Sequence, residues 1–351
     1  MDFLLLLYFT IFFSSRTYSA YFLFFSLSNK VQYNGFLTTG NIMNHKNTWV
    51  VTGGAGFIGS HLVHKLVALG ETVRVVDNFS TGRADSLADV LDKIELIKAD
   101  ICSSEALLSA FKGADFVLHH AALASVPLSV ENPQETHDIN VQGTQNVLEA
   151  ALQNHVKRVV FASSCAVYGN SPLMPYKEDS TLEVTSPYAA SKLEGENLCK
   201  KYTQEYGLET VILRYFNVFG VGQRADSSYA AVITKFVQLA REGKPLTIEW
   251  DGHQSRDFVN VQDVVQANLL AAYKAQSGDV YNVASGQSVS LLRVADALDK
   301  ISGKKLERVF LPKRKIDIRH SSADIQKITS LGFSPTFTLE QGLSELWEAN
   351  N

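Results

Sequence analysis

The fold is decided by residues 49–59, which read WVVTGGAGFIG. The run 49–52 is apolar and β-branched, which predicts a buried strand, and the apolar spacing over 58–69 predicts a helix after it. The spaced glycines of this stretch are Gly53, Gly56 and Gly59. Such glycines let the backbone turn tightly, approach a pyrophosphate and pack the helix on the sheet, while the helix N-terminus offers N–H groups to phosphates. The stretch therefore predicts a dinucleotide-binding turn.

A carboxylate stands at the end of the next predicted strand, 72–77. Asp77 follows Gly59 by 18 residues, a position at which an acid accepts hydrogen bonds from the hydroxyls of an adenosine ribose. A carboxylate there would repel a 2′-phosphate, so the sequence predicts NAD rather than NADP. The alternative is a plain turn followed by a helix-capping acid. It is disfavoured because strand, glycines, helix and acid all coincide.

Apolar strands and helix-period segments alternate through the first part of the chain. Further strands are predicted at 94–99, 116–119, 158–162 and 210–214, and helices at 136–154 and 187–206. The strands are continuous apolar runs, as expected for a parallel sheet that is buried on both faces. The prediction is an α/β fold, with a doubly wound parallel sheet of the Rossmann type that binds NAD over residues 43–215.

The pattern changes after residue 215. A helix at 230–241, a strand at 246–250 and smaller mixed elements predict a smaller α/β C-terminal substrate domain over residues 216–351. The helix-period segment 261–275 is expected to return to the first domain, so that residues 261–283 fold back onto it.

Residues 1–42 differ in composition from the rest of the chain. They hold three charged residues and two apolar runs, 3–13 and 20–27. Neither run reaches the roughly 20 apolar residues that span a bilayer. Three interpretations stay open: translation that starts at Met43, a secretory signal peptide, and an uncleaved anchor. A membrane partner is expected only if this extension belongs to the protein.

The overall composition excludes several classes of protein. With 46% hydrophobic and 19% charged residues, the chain is neither disordered nor collagen-like. A net charge of −4 gives no field that gathers nucleic acid, so no such partner is expected. The cysteines are Cys102, Cys165 and Cys199. Three cysteines without a CxxC pair predict neither a disulfide framework nor a metal site, and they fit a reducing, cytoplasmic location.

A second polar cluster lies in the segment PYAASK, residues 187–192. Pro187 suits the first turn of a helix, and Tyr188 and Lys192, four residues apart, share one helical face. A nearby ammonium favours a phenolate, so we expect Lys192 to lower the pKa of Tyr188 from about 10 and make it a general base. Ser164 ends a predicted strand at the edge where such sheets bind ligands. Each signal alone suits an exposed helix face or a turn, but together they predict one NAD-dependent site.

With these motifs the chain resembles the extended short-chain dehydrogenase/reductase superfamily and, within it, the nucleotide-sugar 4-epimerases. The resemblance covers residues 48–345. It rests on DI at 100–101, HHAA at 119–122, NVQGT at 140–144, LRYFNVFG at 213–220 and SRDF at 255–258. It implies that Asp100 and Ile101 lie by the adenine and Asn140 near the cofactor. Asn217 and Arg256 would contact the nucleotide diphosphate.

The motifs and the resemblance together imply three sets of site residues. The catalytic residues are Tyr188, Lys192 and Ser164. The cofactor-binding residues are Gly53, Gly56, Phe57, Ile58, Gly59, Asp77, Asn78, Thr81, Gly82, Asp100, Ile101, Ala121, Ala122, Asn140, Tyr188 and Lys192. The residues that bind the UDP-sugar substrate are Ser125, Ser164, Tyr188, Asn217, Arg256, Arg314 and Ser321.

The resemblance also bears on the type of reaction. Related 4,6-dehydratases and sugar-acid decarboxylases carry an acid shortly after the active-site Ser or Thr, where this chain has Cys165 and Ala166. Water elimination needs an acid that protonates the leaving hydroxyl, and neither residue does this well. The implied reaction is a C4 epimerisation. Tyr188 takes the proton of the 4-OH while the C4 hydride passes to tightly held NAD⁺, Ser164 holds the oxygen, and the 4-keto sugar rotates before the hydride returns.

Three segments are most similar to the UDP-N-acetylglucosamine 4-epimerase branch, namely 122–127, 229–233 and 317–324. Epimerases limited to glucose and galactose carry a bulky Tyr where Ser321 aligns, and a small residue leaves room for a 2-acetamido group. We therefore expect UDP-GlcNAc and UDP-GalNAc as substrates, with UDP-Glc and UDP-Gal as further candidates, and a homodimer as usual in that family.

Two other functions stay open. The first is another enzyme, either a UDP-uronate 4-epimerase or a dehydrogenase that releases NADH. The uronate stays open because basic residues cluster near the expected sugar end; they are Lys313, Arg314, Lys315 and Arg319. A non-catalytic Rossmann binding protein is the more distant one. The intact trio of Tyr188, Lys192 and Ser164 argues against it, because a silent fold has no need to keep all three.

Overall fold

The computed structural model describes residues 46–171, 173–224, 232–313 and 319–349. The extension 1–42, the candidate ligand Arg314 and the first two residues of the predicted helix 230–241 lie outside these ranges. In the part of the chain that is described, no helix is both long enough and apolar enough to cross a membrane.

A parallel sheet of seven strands forms the centre of the described residues. In chain order its strands are β1 Thr48–Thr52, β2 Thr72–Asp77, β3 Ile94–Lys98, β4 Phe116–His119, β5 Arg158–Ser164, β6 Glu209–Tyr215 and β10 Val280–Val283. Their order across the sheet is β10-β6-β5-β4-β1-β2-β3, and every neighbouring pair is parallel. The predicted doubly wound Rossmann fold is confirmed.

Helices cover both faces of this sheet. In chain order the helices are α1 Phe57–Ala68, α2 Ser104–Ala110, α3 Val126–Glu131, α4 Pro133–His137, α5 Gly143–Gln153, α6 Pro187–Tyr206, α7 Val232–Arg241, α8 Val261–Lys274, α9 Leu291–Ser302, α10 Gln326–Thr329 and α11 Leu339–Ala349. Successive strand residues point to opposite faces, so Val51 and Val75 join a core with α1 and α8. Val50 and Val76 join the core under α2, α5 and α6. This double burial explains why the strands are apolar throughout.

A third, smaller core lies in the C-terminal part of the chain. It is built by α7, α9 and α11 with strands β8 Leu246–Glu249 and β9 Ser255–Asn260. Here β9 lies between β7 Asn217–Phe219 and β11 Ser288–Ser290, while β8 pairs with β12 Arg308–Leu311. Residues 261–283 supply α8 and β10, and β10 is the edge strand of the large sheet beside β6. The division into domains at residue 215 stays a prediction.

Two local features depart from the predicted elements. The strand predicted at 246–250 ends at Glu249, because Trp250 takes a left-handed backbone conformation with φ of 65°. The helix predicted at 136–154 is interrupted by a π-helical turn at Asp138–Gln142. A π turn inserts one extra residue into a helix and marks functional sites more often than ordinary helix does. Apolar periodicity does not reveal such an insertion.

The turn between β1 and α1 leaves no room for a side chain on Gly59, in the first turn of α1. A Cβ atom on Gly59 would lie 2.1 Å from the carbonyl oxygen of Gly53, and 2.8 Å from the Cα atom of Gly54. Both are backbone atoms, so a side chain here has to displace the turn itself.

We predict that Gly59→Ala lowers the free energy of unfolding by about 3 kcal/mol, because the turn has to shift around the new methyl group. Gly70→Ala is the control: Gly70 has a φ of +83° with no atom within 4 Å of an added Cβ, so only the left-handed backbone penalty of about 1 kcal/mol applies. Urea unfolding of both variants measures the difference. Equal losses would mean that the close approach at Gly59 is relaxed in solution.

Candidate active site

The glycine turn is held between two strand ends. The N–H of Gly53 donates to the carbonyl oxygen of Val76 at 2.8 Å. Gly53 has a φ of +68°, and a Cβ on it would lie 2.7 Å from the backbone nitrogen of Ala121. No side chain caps the N-terminus of α1 at Gly56. The first N–H groups of this helix, which include those of Phe57 and Ile58, are therefore suited to a pyrophosphate.

Asp77 anchors the turn from the end of β2. It is buried, and its Oδ2 accepts a hydrogen bond from the N–H of Ala55 at 2.9 Å while its Oδ1 accepts from the N–H of Phe79 at 2.8 Å. Each carboxylate oxygen has a second lone pair, so both remain able to accept from a ribose hydroxyl. Thr81 and Gly82 lie close by, since a Cβ on Gly82 would be 2.8 Å from Asp77 Oδ1. These residues fit a dinucleotide.

The predicted adenine side lies at the same edge of the sheet, after β2 and β3. Asn78 Nδ2 donates to Asp100 Oδ2 at 2.8 Å, and Asp100 Oδ1 accepts from the N–H of Cys102 at 2.8 Å. The side chain of Ile101 packs against Gly143 at the start of α5. Across the glycine turn, the N–H of Ala121 contacts the hydroxyl of Thr52 at 3.3 Å, and Ala122 follows.

Asn140 lies on the π-helical turn, and its side chain links two segments by hydrogen bonds. Its Oδ1 accepts from the N–H of Leu123 at 2.8 Å, and its Nδ2 donates to the Leu123 carbonyl at 3.1 Å and to Ser191 Oγ at 2.9 Å. Ser191 in turn donates to the carbonyl oxygen of Tyr188 at 2.8 Å. Asn140 therefore ties the loop that follows Ala122 to the helix that carries Tyr188. Its side chain has both hydrogens of Nδ2 engaged within the protein.

Helix α6 carries Tyr188 and Lys192. Each backbone N–H group in its first turn has a hydrogen-bond acceptor. Pro187 has no N–H to satisfy. The N–H of Tyr188 donates to Ser129 Oγ at 3.1 Å, and that of Ala189 to Ser186 Oγ at 3.1 Å. The helix ends at Tyr206, the residue predicted from the sequence. Because both ends are capped, the position of Tyr188 relative to the sheet is well defined.

Lys192 lies inside the protein at the end of β5. Its Nζ donates to the carbonyl oxygen of Ala162 at 2.9 Å and lies 5.1 Å from the ring centroid of Phe161. The distance from Nζ to the ring centroid of Tyr188 is 6.0 Å. Two further N–H bonds of the ammonium remain for other partners, which suits the predicted role beside a ribose.

The expected lowering of the Tyr188 pKa is wrong. Burial raises the pKa of Tyr188 to about 12, and a hydrogen bond with Ser164 opposes this rise without cancelling it. Burial also lowers the pKa of Lys192 to about 8, so this cation is only partly protonated near pH 8. Removal from water disfavours both charged forms, and the ammonium is too far away to offset that cost for the phenol.

Ser164 ends β5 and begins the 3₁₀ turn Cys165–Tyr168, with its Oγ accepting from the N–H of Ala166 at 3.2 Å. The Ser164 side chain also lies near enough to the Tyr188 phenol to lower its pKa. The structure thus brings Tyr188, Lys192 and Ser164 together.

The predicted substrate residues Asn217, Arg256 and Ser321 belong to the C-terminal part of the chain. Asn217 Nδ2 donates to the carbonyl of Asp257 at 3.2 Å, and Arg256 lies near Cys165, whose pKa it influences. Ser321 is buried, with 3% of its surface exposed, so it is not an ordinary surface serine. Its backbone is fixed by Ser255 at 3.1 Å and by Ser288 at 2.8 Å.

Ser125 has a structural contact as well: it caps α3, accepting from the N–H of Leu128 at 3.3 Å. In the described residues no cluster of three His, Cys, Asp or Glu side chains could hold a metal ion.

Two supporting residues were not found from the sequence. Ser129 is fully buried and holds the N–H of Tyr188. Asp257 accepts from the N–H and the hydroxyl of Ser285 at 2.8 and 2.7 Å and from the N–H of Ala323 at 3.3 Å. Burial raises the pKa of Asp257 to about 6. Ser129 had no sequence signal, whereas Asp257 belongs to the SRDF segment and could have been suspected there.

Comparison with known proteins identifies the family. The model of the NAD dependent epimerase/dehydratase family matches residues 49–284. The chain belongs to this family. It is similar to the solved UDP-N-acetylglucosamine 4-epimerase from Methanobrevibacter ruminantium M1, in complex with UDP-N-acetylmuramic acid, with 39% identity, a TM-score of 0.84, and coverage of 88% of this chain and 99% of that one.

Two further relatives act on other sugars according to their names. The UDP-glucuronic acid 4-epimerase from Bacillus cereus, in complex with UDP-glucuronic acid and NAD, is 32% identical with a TM-score of 0.79, covering 86% of this chain and 98% of that chain. The UDP-glucose 4-epimerase of Mycolicibacterium smegmatis is 37% identical over 305 residues, 85% of this chain and 97% of its own length. The chain is an NAD-dependent enzyme of the UDP-sugar epimerase type.

We predict that Ser129→Ala lowers kcat about tenfold, because the N–H of Tyr188 loses its acceptor and the phenol shifts. The buried N–H also costs about 1–2 kcal/mol of unfolding free energy. Ser290→Ala is the control: it removes a similar bond, from the N–H of Arg293 at 3.2 Å, at the start of α9. That variant should lose stability and keep its kcat. Equal kcat values for the two variants would contradict the role of Ser129.

Proposed function

We propose that the protein is an NAD-dependent 4-epimerase that interconverts UDP-GlcNAc and UDP-GalNAc through a 4-keto intermediate. UDP-Glc and UDP-Gal are further candidate substrates. The observation that carries the proposal is that Lys192 Nζ lies 6.0 Å from the Tyr188 ring on one face of the helix, while the Ser164 side chain lies close enough to the phenol to lower its pKa. A serine hydroxyl can hold one sugar hydroxyl, and a neighbouring tyrosine in its phenolate form can accept the proton of that hydroxyl and become a phenol.

Ser164, Tyr188 and Lys192 have separate roles in the proposed epimerisation. Bound NAD⁺ supplies the acceptor for the C4 hydride and a positive ring charge. Ser164 holds the 4-hydroxyl oxygen, and Tyr188 takes its proton. Lys192 contributes positive charge from a fixed point, because Ala162 holds its Nζ. Cys165 and Ala166 follow Ser164, and neither is an acid that could protonate a leaving hydroxyl, which favours epimerisation over water loss.

The N-acetyl sugar is favoured by Ser321. Its buried position, its small side chain and its fixed backbone are consistent with a pocket wall that leaves space for a 2-acetamido group. The solved UDP-N-acetylglucosamine 4-epimerase supports the same choice by its similarity.

A UDP-uronate 4-epimerase is the second candidate, supported by the glucuronic acid 4-epimerase among the relatives. A uronate needs a cation for its carboxylate. Of the described basic residues proposed for this end, Arg319 donates from both Nη atoms to Asp251 at 2.8 and 2.9 Å. Lys313 and Arg319 both lie 4.0 Å from the ring centroid of Trp250. A uronate would have to compete with these contacts.

The proposal includes a homodimer located in the cytoplasm. The homodimer follows from the resemblance to nucleotide-sugar epimerases. The location is supported by the thiols of Cys102, Cys165 and Cys199, which are all free and so suit a reducing compartment.

Product analysis with UDP-GlcNAc, UDP-Glc, UDP-GlcA and UDP-GlcNAcA tests the proposed function. We expect a C4 epimer of UDP-GlcNAc at the highest kcat/KM and no net release of NADH. In Tyr188→Phe, kcat should fall by roughly 10²–10⁴-fold while bound NAD is retained, because only the general base is lost. Turnover confined to the two uronates would favour the second candidate. Epimerisation by Tyr188→Phe at the wild-type rate would remove the catalytic assignment.

Ser321→Tyr tests the sugar assignment. The added phenol should overlap a 2-acetamido group but clear a 2-hydroxyl, and overpacking of this kind costs about 1–3 kcal/mol, or roughly 5- to 150-fold in rate. We therefore expect the ratio of kcat/KM for UDP-GlcNAc to that for UDP-Glc to fall by this factor. The ratio removes general damage, which lowers both values together. An unchanged ratio would show that Ser321 does not line the pocket for the 2-substituent.

A further inference from the structure

A buried ion pair lies one helical turn beyond Lys192. Glu196 follows Lys192 by four residues on the same face of α6 and is fully buried, and its partner Arg214 on β6 is 1% exposed. The Glu196 carboxylate accepts from Arg214 Nε at 2.9 Å and from Arg214 Nη2 at 2.7 Å. Two parallel bonds of this kind fix the relative orientation of both groups.

The pair also holds the strand that carries Ser164. Ser163 Oγ donates to Glu196 Oε1 at 2.6 Å, and a carboxylate can only accept, so the direction of this bond is set. In the sheet, Ser163 is paired in register with Arg214, and Ser164 with Tyr215. One carboxylate therefore connects the catalytic helix, the end of β5 and the end of β6.

Arg214 Nη1 links the ion pair, through further hydrogen bonds, to the segments next to Ser321. Arg214 Nη1 donates to Tyr168 Oη at 2.9 Å and to the carbonyl of Glu178 at 2.9 Å. Tyr168 donates to Asn282 Oδ1 at 2.7 Å, and Asn282 Nδ2 donates to the carbonyls of Tyr176 and Asp324 at 2.9 and 3.3 Å. These carbonyls belong to segments that flank Ser321, because the N–H of Tyr176 donates to the carbonyl of Ser322 at 2.8 Å.

Stability alone is a poor explanation for such a pair. Removing two charges from water is costly, and well-packed apolar residues of similar volume often replace a buried ion pair without loss of stability. An apolar replacement would fill the space between α6 and β6 equally well. What it could not do is accept the hydroxyl of Ser163 or donate to Tyr168.

We propose that Glu196 and Arg214 form a positioning pair that sets the Ser163–Ser164 strand end against Tyr188 and Lys192, so that kcat depends on the pair more than the stability of the fold does. Neither residue has to touch the substrate or the cofactor. Their effect passes through Ser163 to Ser164 and through the shared helix to Tyr188. This inference rests on the proposed epimerase activity.

The test compares three variants and one control variant with the wild-type holoenzyme. The substrate is the UDP-sugar that the wild type turns over. Glu196→Leu with Arg214→Met removes the pair at similar volume, and Glu196→Gln removes one charge only. Ser163→Ala removes only the hydroxyl that links the pair to the strand end. For each variant kcat, KM, the midpoint of thermal unfolding and the amount of bound NAD are measured.

A control pair lies at the opposite end of the same two strands, where β5 and β6 begin. Arg158 on β5 and Glu209 on β6 are paired in register and joined by a hydrogen bond of 2.9 Å from Arg158 Nε. Arg158→Met with Glu209→Leu removes an ion pair from β5 and β6 far along the strands from Ser164. It should lower stability somewhat and leave kcat within about twofold of the wild type, since no catalytic group depends on it.

For the Glu196–Arg214 double variant we expect bound NAD and an unfolding midpoint close to the wild type, a kcat lowered about tenfold or more, and a KM changed by less than about threefold. Glu196→Gln should lose both stability and kcat, because Arg214 is left unpaired in the interior. Ser163→Ala should lower kcat about fivefold at a near-normal midpoint.

A double variant with wild-type kcat would overturn the proposal, and so would a Ser163→Ala variant with wild-type kcat, which decides the matter if the double variant does not fold. A control variant that loses as much kcat as the double variant would also overturn it. Absence of turnover by the wild type on every UDP-sugar is a separate outcome, because it contradicts the proposed function and leaves the reference rate undefined.

Discussion

The active site depends on the burial of one face of α6 against the end of β5. Tyr188, Lys192 and Glu196 follow one another at intervals of four residues along this face. Lys192 and Glu196 are buried, and Tyr188 is half-buried. Burial of an ammonium and a carboxylate is costly, and each has a defined partner: the carbonyl of Ala162 for Lys192, and Arg214 for Glu196. The same lack of water strengthens each electrostatic contact in the site.

The same burial sets the charge states of the two catalytic groups. It raises the pKa of Tyr188 to about 12 and lowers that of Lys192 to about 8. Both groups are thus held toward their neutral forms. A positively charged ring bound beside them would favour the phenolate. The glycine turn follows β1 and Ser164 ends β5, so the two lie at the same end of the parallel strands.

Features carried by local sequence could be predicted, whereas features that need distant residues to meet could not. The glycine turn, Asp77 and the full extent of α6 follow from short motifs with their own turn and cap residues, and the structure contains them. The contact of Asn140 with Ser191 and that of Ser129 with Tyr188 join residues 51 and 59 positions apart. The Glu196–Arg214 pair joins a helix to the strand that follows it, across a separation of 18 residues. The pKa of Tyr188 was predicted in the wrong direction because the sequence shows the spacing to Lys192 but not the loss of water around both groups.

The most direct test of the account uses UDP-N-acetylglucosamine that carries deuterium at C4. If the C4 hydrogen leaves as a hydride and returns within one active site, the UDP-N-acetylgalactosamine that forms in ordinary water should retain deuterium at C4, as shown by mass spectrometry and NMR. A product with ordinary hydrogen at C4 would contradict this account, because the hydrogen would then have exchanged with water. Recovery of only unchanged UDP-N-acetylglucosamine would contradict the proposed substrate.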